Sequence, residues 1–407
     1  MTKTNVPRLR FSEFSGEWKG KSLKNLGFVY GGLTGKSKDD FGKGNSNYIT
    51  YMTINRKFVS EEKDTNNVMI HSTEKQNKVK KGDVLFTISS ETPEEVGLSS
   101  TWLGNSEVYL NSFSFGYRFN EETNGYFTSS LFRSIKFRKK IFPLAQGISR
   151  YNLSKSNFLN LNISMPIIFE QQKIGDFFAK QDKLIELQTQ KVDQLKKLKR
   201  GYLQKMFPQE GETVPRLRFS GFSGEWKEEK LDSLLSECSN REVKNVENHK
   251  LLKVSLHFKG VKTTTDHPRV TSKGRKYFLR KPGDLIIGKQ NFHNGGFAII
   301  PDNVEGYVAS SAIVSFTNKS NCNLNFVNFY MMNNDWLRRT TIFIGGTGQK
   351  EYSVKTLKSL KIKIPTLEEQ EKISKFFKVI DNKIEYEKGK LNRLNKLKKA
   401  YLQKMFV

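Results

Sequence analysis

The chain has 407 residues and a formal net charge of +28, from 69 Lys and Arg against 41 Asp and Glu, with 36% apolar residues and 31 Phe. That apolar content excludes a disordered chain, and the length allows two or three domains with real cores. The charge favours a polyanionic partner, nucleic acid first and an anionic membrane surface second. Apolar runs such as DLIIG (Asp284 to Gly288) fall far short of the roughly 20 residues of a spanning helix. No apolar segment follows the basic start, so no signal peptide is expected. Cys238 and Cys322 alone fit a reducing cytoplasm rather than a disulfide framework.

In chain order, the first element is a leader, VPRLRFSEFSGEWK (Val6 to Lys19), which returns with one change as VPRLRFSGFSGEWK (Val214 to Lys227). Its Phe11, Phe14 and Trp18, echoed by Phe219, Phe222 and Trp226, are expected to pack rather than bind. Strand-like stretches separated by Gly, Asn and Ser turns follow: SNYITYMTI (Ser46 to Ile54) and GDVLFTI (Gly82 to Ile88) in the first half, then GDLIIG (Gly283 to Gly288), GGFAII (Gly295 to Ile300) and LKIKIP (Leu360 to Pro365) in the second. The globular regions therefore read as mixed α+β with substantial sheet.

The next element is PIIFEQQKIGDFFAKQDKLIE (Pro166 to Glu186), repeated 199 residues later as PTLEEQEKISKFFKVIDNKIE (Pro365 to Glu385). At the same offset, QLKKLKRGYLQKMF (from Gln194) becomes RLNKLKKAYLQKMF (from Arg393). Both tails predict long helices. Ile174, Phe177, Phe178, Leu184, Ile185, Val192, Leu195, Leu198, Leu203 and Met206 recur at three- and four-residue intervals. So do Ile373, Phe376, Phe377, Ile380, Ile384, Leu391, Leu394, Leu397, Leu402 and Met405. Thr366 and Glu369 suggest a capping box, and Pro208 stops the first helix. About 40 residues per tail implies helices of about 60 Å, and one apolar stripe on each calls for the other as partner. A pseudo-twofold would make them antiparallel, with one globular region at each end of a rod and the first leader near the end of the second helix. The expected boundaries are 1–165 and 209–364 for two recognition domains with their leaders, and 166–208 and 365–407 for the helices. Scaffold segments are near copies, whereas the globular centres have diverged. Two readers with different targets fit that pattern.

Catalytic motifs are missing. GGLTGKS (Gly31 to Ser37) is one residue short of a phosphate loop, with Tyr30 where a Gly is needed. The five His and two Cys have no metal-site spacing, no dinucleotide fingerprint opens a helix, and no proline is followed by another as an amino-methyltransferase site would require. Neither catalytic residues nor a metal site are expected.

Two variable heads, two near-identical helices, the start Pro-x-x-x-Glu-Gln-x-x-Ile-x-x-Phe-Phe (Pro166 to Phe178) and the junction YLQKMFPQEGETVPRLRF (Tyr202 to Phe219) together resemble the specificity subunit of type I restriction-modification enzymes. The resemblance spans essentially the whole chain. It implies a non-catalytic, cytoplasmic subunit that binds double-stranded DNA. Each head would read half of a split site while the antiparallel helices set the gap. Two methyltransferase subunits with S-adenosylmethionine would dock on it, and restriction subunits would add ATP- and Mg²⁺-dependent work; the chain itself would bind no cofactor. A non-specific double-headed nucleic-acid scaffold is the alternative, and a self-sufficient enzyme is a further rival.

Three loop sets are the DNA-binding candidates. The first is the matched pair GISRYNLS (Gly147 to Ser154) and GTGQKEYS (Gly346 to Ser353). In it Ser149, Arg150, Tyr151, Gln349 and Lys350 stand out, with Arg150 suited to guanine, Gln349 to adenine and Lys350 to phosphate. The second is the basic loop with Thr34, Lys36, Ser37 and Lys38. The third is KQNFHNGG, with Lys289 for phosphate and Asn291 and His293 for base edges. Each has a plain alternative: a solvated turn, a mobile loop, and a hairpin whose Asn and Gly supply positive φ. The Lys196, Lys197, Lys199 and Arg200 run reads as a solvated face or a partner contact.

Overall fold

The computed structural model describes residues 5–268, 276–319, 321–344 and 351–407. The chain forms two compact units. One contains the residues up to Thr189 together with Gly389–Val407, and the other is Gln190–Lys388. Both boundaries fall inside long helices, the central helix Ile168–Lys205 and the second helix Leu367–Lys404. Each has 38 residues, about 57 Å of helix. Each unit thus owns the start of one long helix and the end of the other.

Within the first unit the two segments run antiparallel. Phe177 meets Tyr401 edge-on at 4.9 Å, and Asp182, further along, pairs with Lys398, further back. The second unit repeats this with Tyr202 on Phe376 at 5.0 Å, Lys199 on Asp381 at 2.6 Å and Lys191 on Glu387 at 2.9 Å. The pairing expected from periodicity is present in each unit, but its seam is narrower than the pattern suggested. Leu184, Leu198 and Leu397 are about half exposed, at 49%, 47% and 48%. Leu198 and Leu397 stand next to Lys199 and Lys398, and those lysines take the inward positions. Their stems lie along the seam and each ammonium reaches an aspartate. Lys199 is therefore not part of a solvated face. Its ammonium also lies 5.2 Å from the Phe329 ring centre, as that of Lys398 lies 3.6 Å from Phe58.

The repeated sequences meet one another. In the first unit Phe406 packs against Trp18, Phe127 and Phe178 at 6.2, 5.7 and 5.8 Å. In the second, Phe207 packs against Trp226, Phe326 and Phe377 at 6.2, 5.5 and 5.9 Å. The leader N–H of Leu9 bonds Lys404 C=O, and Leu217 bonds Lys205 C=O, so each leader caps a helix end. For the first unit this bears out the expected closeness of leader and second helix end. The Glu-Gln of each helix start is structural. Glu170 takes Arg10 at 2.8 and 2.7 Å and the Trp18 indole N–H at 3.2 Å. Glu369 takes Arg218 at 2.8 Å through both oxygens. The Glu369 carboxylate is thus committed to the leader instead of closing a capping box, although its N–H still reaches Thr366 Oγ1 at 3.5 Å. Gln171 and Gln370 accept from Asn124 N–H and Asn323 N–H, which start the helices Gly125–Arg133 and Leu324–Met331.

The diverged centres keep one topology. The first unit's main sheet has the order Gly27–Gly31, Ser114–Phe119, Val84–Thr87, Ser99–Trp102, Val59–Ser60. The second has Leu235–Glu237, Ile313–Asn318, Leu285–Gly288, Phe297–Ile299. The third strand of each, Val84–Thr87 and Leu285–Gly288, is buried on both faces, which explains their unbroken apolar runs. Each unit adds a second sheet with one parallel pairing, Tyr48 beside Tyr109 or Lys250 beside Tyr307. Phenylalanines fill the first core, with Phe86–Phe158 and Phe132–Phe137 both at 4.7 Å. One strand reading needs correction. Ser46–Ile54 is strand only to Ile49; Thr50 accepts the Thr53 N–H at 3.1 Å and caps a helix, Tyr51–Arg56.

Replacing Glu170 by Ala leaves the Arg10 guanidinium without its buried partner, so urea unfolding of the first unit should show a loss of about 3 kcal/mol. Leu198→Ala should cost below about 1 kcal/mol, since that side chain is half in water already.

Candidate nucleic-acid interface

In the first unit, Gly147 opens the turn that carries Ser149 and Arg150. Its φ is +139°, and a Cβ there would meet Arg150 O at 1.9 Å, so only glycine fits. The following strand, Tyr151–Leu153, pairs with Ser89–Ser90. Those serines continue from the buried strand Val84–Thr87, so the central strand delivers residues 89–91 beside Arg150. The resulting cleft of about 290 Å³ is lined by Tyr51, Ser89, Ser90, Glu91, Glu95, Phe113 and Arg150. Its walls are tied down. Tyr51 Oη donates to Ser89 O at 2.8 Å, and Arg138 donates to the carbonyls of Glu94, Val96 and Gly97 at 2.7–2.8 Å. Burial pulls the Arg138 guanidinium down to about 10, and burial with the neighbouring Arg138 charge does the same to Arg133. Arg280 in the second unit is likewise lowered to about 10 by burial. These arginines bind carbonyls and hydroxyls inside the protein, so part of the +28 does not face outward.

The loop with Thr34, Lys36, Ser37 and Lys38 is held elsewhere, against residues 74–76. Thr34 N–H donates to Gln76 Oε1 at 3.1 Å, and Lys36 pairs with Glu74. Hydrogen bonds from Lys36, then Gln76 and the His71 N–H, draw the Glu74 carboxyl down to about 2. Ser37 is bound to Asp40 at 2.8 and 2.9 Å, and Lys38 is exposed. This loop shares no lining residue with the Arg150 cleft.

In the second unit, Lys289, Asn291 and His293 lie on a short 3₁₀ helix, Lys289–Asn294, joining Leu285–Gly288 to Phe297–Ile299. The hairpin reading was right as far as Gly295, whose φ is +70°. Phe292 anchors the turn, buried against Tyr352 at 5.0 Å. Lys289 C=O accepts the Tyr352 N–H, and Lys289 Nζ lies 3.8 Å from Glu351. Asn291 is exposed, while the half-buried His293 ring lies 6.4 Å from Tyr352. Gln349 and Lys350 fall outside the described residues, immediately before Glu351. The Lys289–Asn294 turn and the Glu351–Tyr352 stretch, distant in sequence, are therefore neighbours here, as Ser89–Ser90 and Tyr151–Asn152 are in the first unit. In each unit the loop after the buried central strand lies beside the loop leading to the helix before the long one. Sequence reasoning missed Tyr51, Ser89, Ser90, Glu91 and Phe113. The strand-then-Ser-Ser pattern after Thr87 was the available signal.

Among the described residues no helix is long and apolar enough to cross a membrane. The family described as type I restriction modification DNA specificity domain matches the chain twice, over residues 15–197 and 241–396. A chain provisionally named type I restriction enzyme MjaX specificity subunit, from Methanocaldococcus jannaschii, is 23% identical over 98% of this chain and 95% of its own length. The MjaVIII specificity subunit of the same organism is 24% identical over 67% of this chain and 68% of its own. The fold is shared with the crystal structure of a type I restriction-modification S subunit from M. genitalium, at TM-score 0.57, 15% identity and 99% coverage of both chains. With one such domain in each repeat, the chain belongs to the type I restriction-modification DNA specificity family.

Proposed function

We propose that each unit reads one half of a split, asymmetric site in double-stranded DNA, and that the two long helices set the gap between the halves. One observation carries this. The same leader, helix starts and helix ends form the same aromatic cluster in both units, whereas the adjoining loop pairs present different chemistry. Arg150 with Ser149 and Tyr151 stands in one, and Lys289, Asn291 and His293, beside Glu351 and Tyr352, in the other. Arg150 addresses guanine, Gln349 adenine, and Asn291 and His293 base edges, while Lys289, Lys350 and the exposed Lys38 hold phosphates; Thr34, Lys36 and Ser37 are occupied by Gln76, Glu74 and Asp40 and shape that loop instead. Partner subunits do the chemistry in the cytoplasm: two modification subunits carry S-adenosylmethionine and methylate adenine, and restriction subunits use ATP and Mg²⁺. An adenine must leave the stack to be methylated, so the duplex has to be held while that happens.

The test is to express the chain with its modification partner and map methylated adenines across a genome. A split motif with a fixed gap is expected; a continuous motif, or methylation without sequence preference as a non-specific scaffold would give, overturns the reading. Four residues inserted near Gln188 should widen the gap and leave both half-sites intact. Glu74→Gln frees Lys36, so DNA affinity should rise at low salt and the slope of log K against log salt should steepen by about 1.

A further inference from the structure

The cleft of the first unit holds two carboxylates besides its arginine, and one of them, Glu95, already accepts the Ser90 hydroxyl at 2.9 Å. Glu91 and Arg150 both line the 290 Å³ space. Neither side chain has an ion pair or hydrogen bond among the described residues, although other exposed charges of this unit do find partners, as Lys78 finds Glu107 at 2.8 Å. Two opposite charges left open toward one cleft suit a ligand that offers an acceptor and a donor together. In the major groove a G·C pair does so, with guanine O6 and N7 accepting and the cytosine N4 amino group donating.

Phe113 supplies a third contact. Its side chain is 65% exposed, yet its backbone is fixed. The Phe113 N–H donates to Asn111 Oδ1 at 3.0 Å, and its carbonyl accepts the Ile88 N–H at 3.0 Å. Asn111 is itself buried and bonds Ile49 O at 3.1 Å. An aromatic ring raised on a rigid backbone loses little entropy on contact, and in the major groove its natural partner is the thymine methyl group.

The geometry points to a composite reader in the first unit: Arg150 on guanine O6 and N7, Glu91 on the N4 amino group of the paired cytosine, and Phe113 against the C5-methyl of a thymine in the adjoining pair. The assignment rests on the split-site reading. Tyr51 and Arg138 hold the backbone of its walls, at Ser89 and at Gly97.

The test maps adenine methylation by the assembled modification complex carrying Arg150→Ala, Glu91→Gln or Phe113→Ala, with Asn291→Ala as the control in the second unit. One half-site should contain a C·G pair next to a thymine. Arg150→Ala and Glu91→Gln should each relax that pair about 5- to 150-fold, and Phe113→Ala should relax the thymine about 5-fold. An unchanged second half-site reports intact folding and assembly. If Arg150→Ala abolishes methylation, Arg150→Lys is read in its place and should relax the same pair. The inference is overturned if that half-site lacks the C·G pair, or if the pair stays selective in both Glu91→Gln and the Arg150 variant. The split-site reading fails separately, if the unaltered complex methylates a continuous motif or shows no sequence preference.

Discussion

Just past the end of each long helix a phenylalanine, Phe406 or Phe207, sits between a leader tryptophan and the opening turns of the other long helix. Burying such a ring contributes about 2–3 kcal/mol, and four rings share each cluster. Three of the four rings come from stretches far apart in sequence, the leader, the helix start and the helix end, and the fourth, Phe127 or Phe326, from a helix of the globular centre; the first three must match in both units. These are the stretches that read as near copies. Their likeness follows from geometry, since each must fit partners of the same shape in both units. Arg10 with Glu170, and Arg218 with Glu369, add a charge pair beside each ring cluster and fix how the leader lies.

Away from this cluster the constraint relaxes. The two main sheets share strand order with little common sequence, because a strand buried on both faces asks only for apolar residues of about the right size. Gly82-Asp83 and Gly283-Asp284 persist at the entry to that strand, where Asp83 pairs with Arg118 and Asp284 with Arg241. The loops beyond the strand have no such duty. They are free to carry Ser89, Ser90 and Glu91 in one unit and a Lys–Asn–His turn in the other.

The scaffold was legible because helical periodicity is a local signal and the 199-residue offset is visible on comparing the chain with itself. The seam was harder to read, because Leu198 and Lys199 exchange the roles that hydropathy assigns them, and only Asp381, far along the chain, reveals why. Thr50 was a visible cap inside an apparent strand, overlooked because the apolar alternation around it was strong. The candidate faces were half legible. Arg150 and Asn291 stand in Gly-marked loops, but Glu91 and Phe113 reach the Arg150 cleft only through strand order, which periodicity does not encode.

The second unit is one continuous stretch, Gln190–Lys388, whereas the first needs Leu402, Met405 and Phe406 to complete a core begun at its leader. Translation therefore finishes the second unit while the first still waits, with an oily hollow open to water and to any chaperone or protease nearby. A stop codon just upstream of Leu402 would spare the unit encoded next to it and cripple the one encoded first.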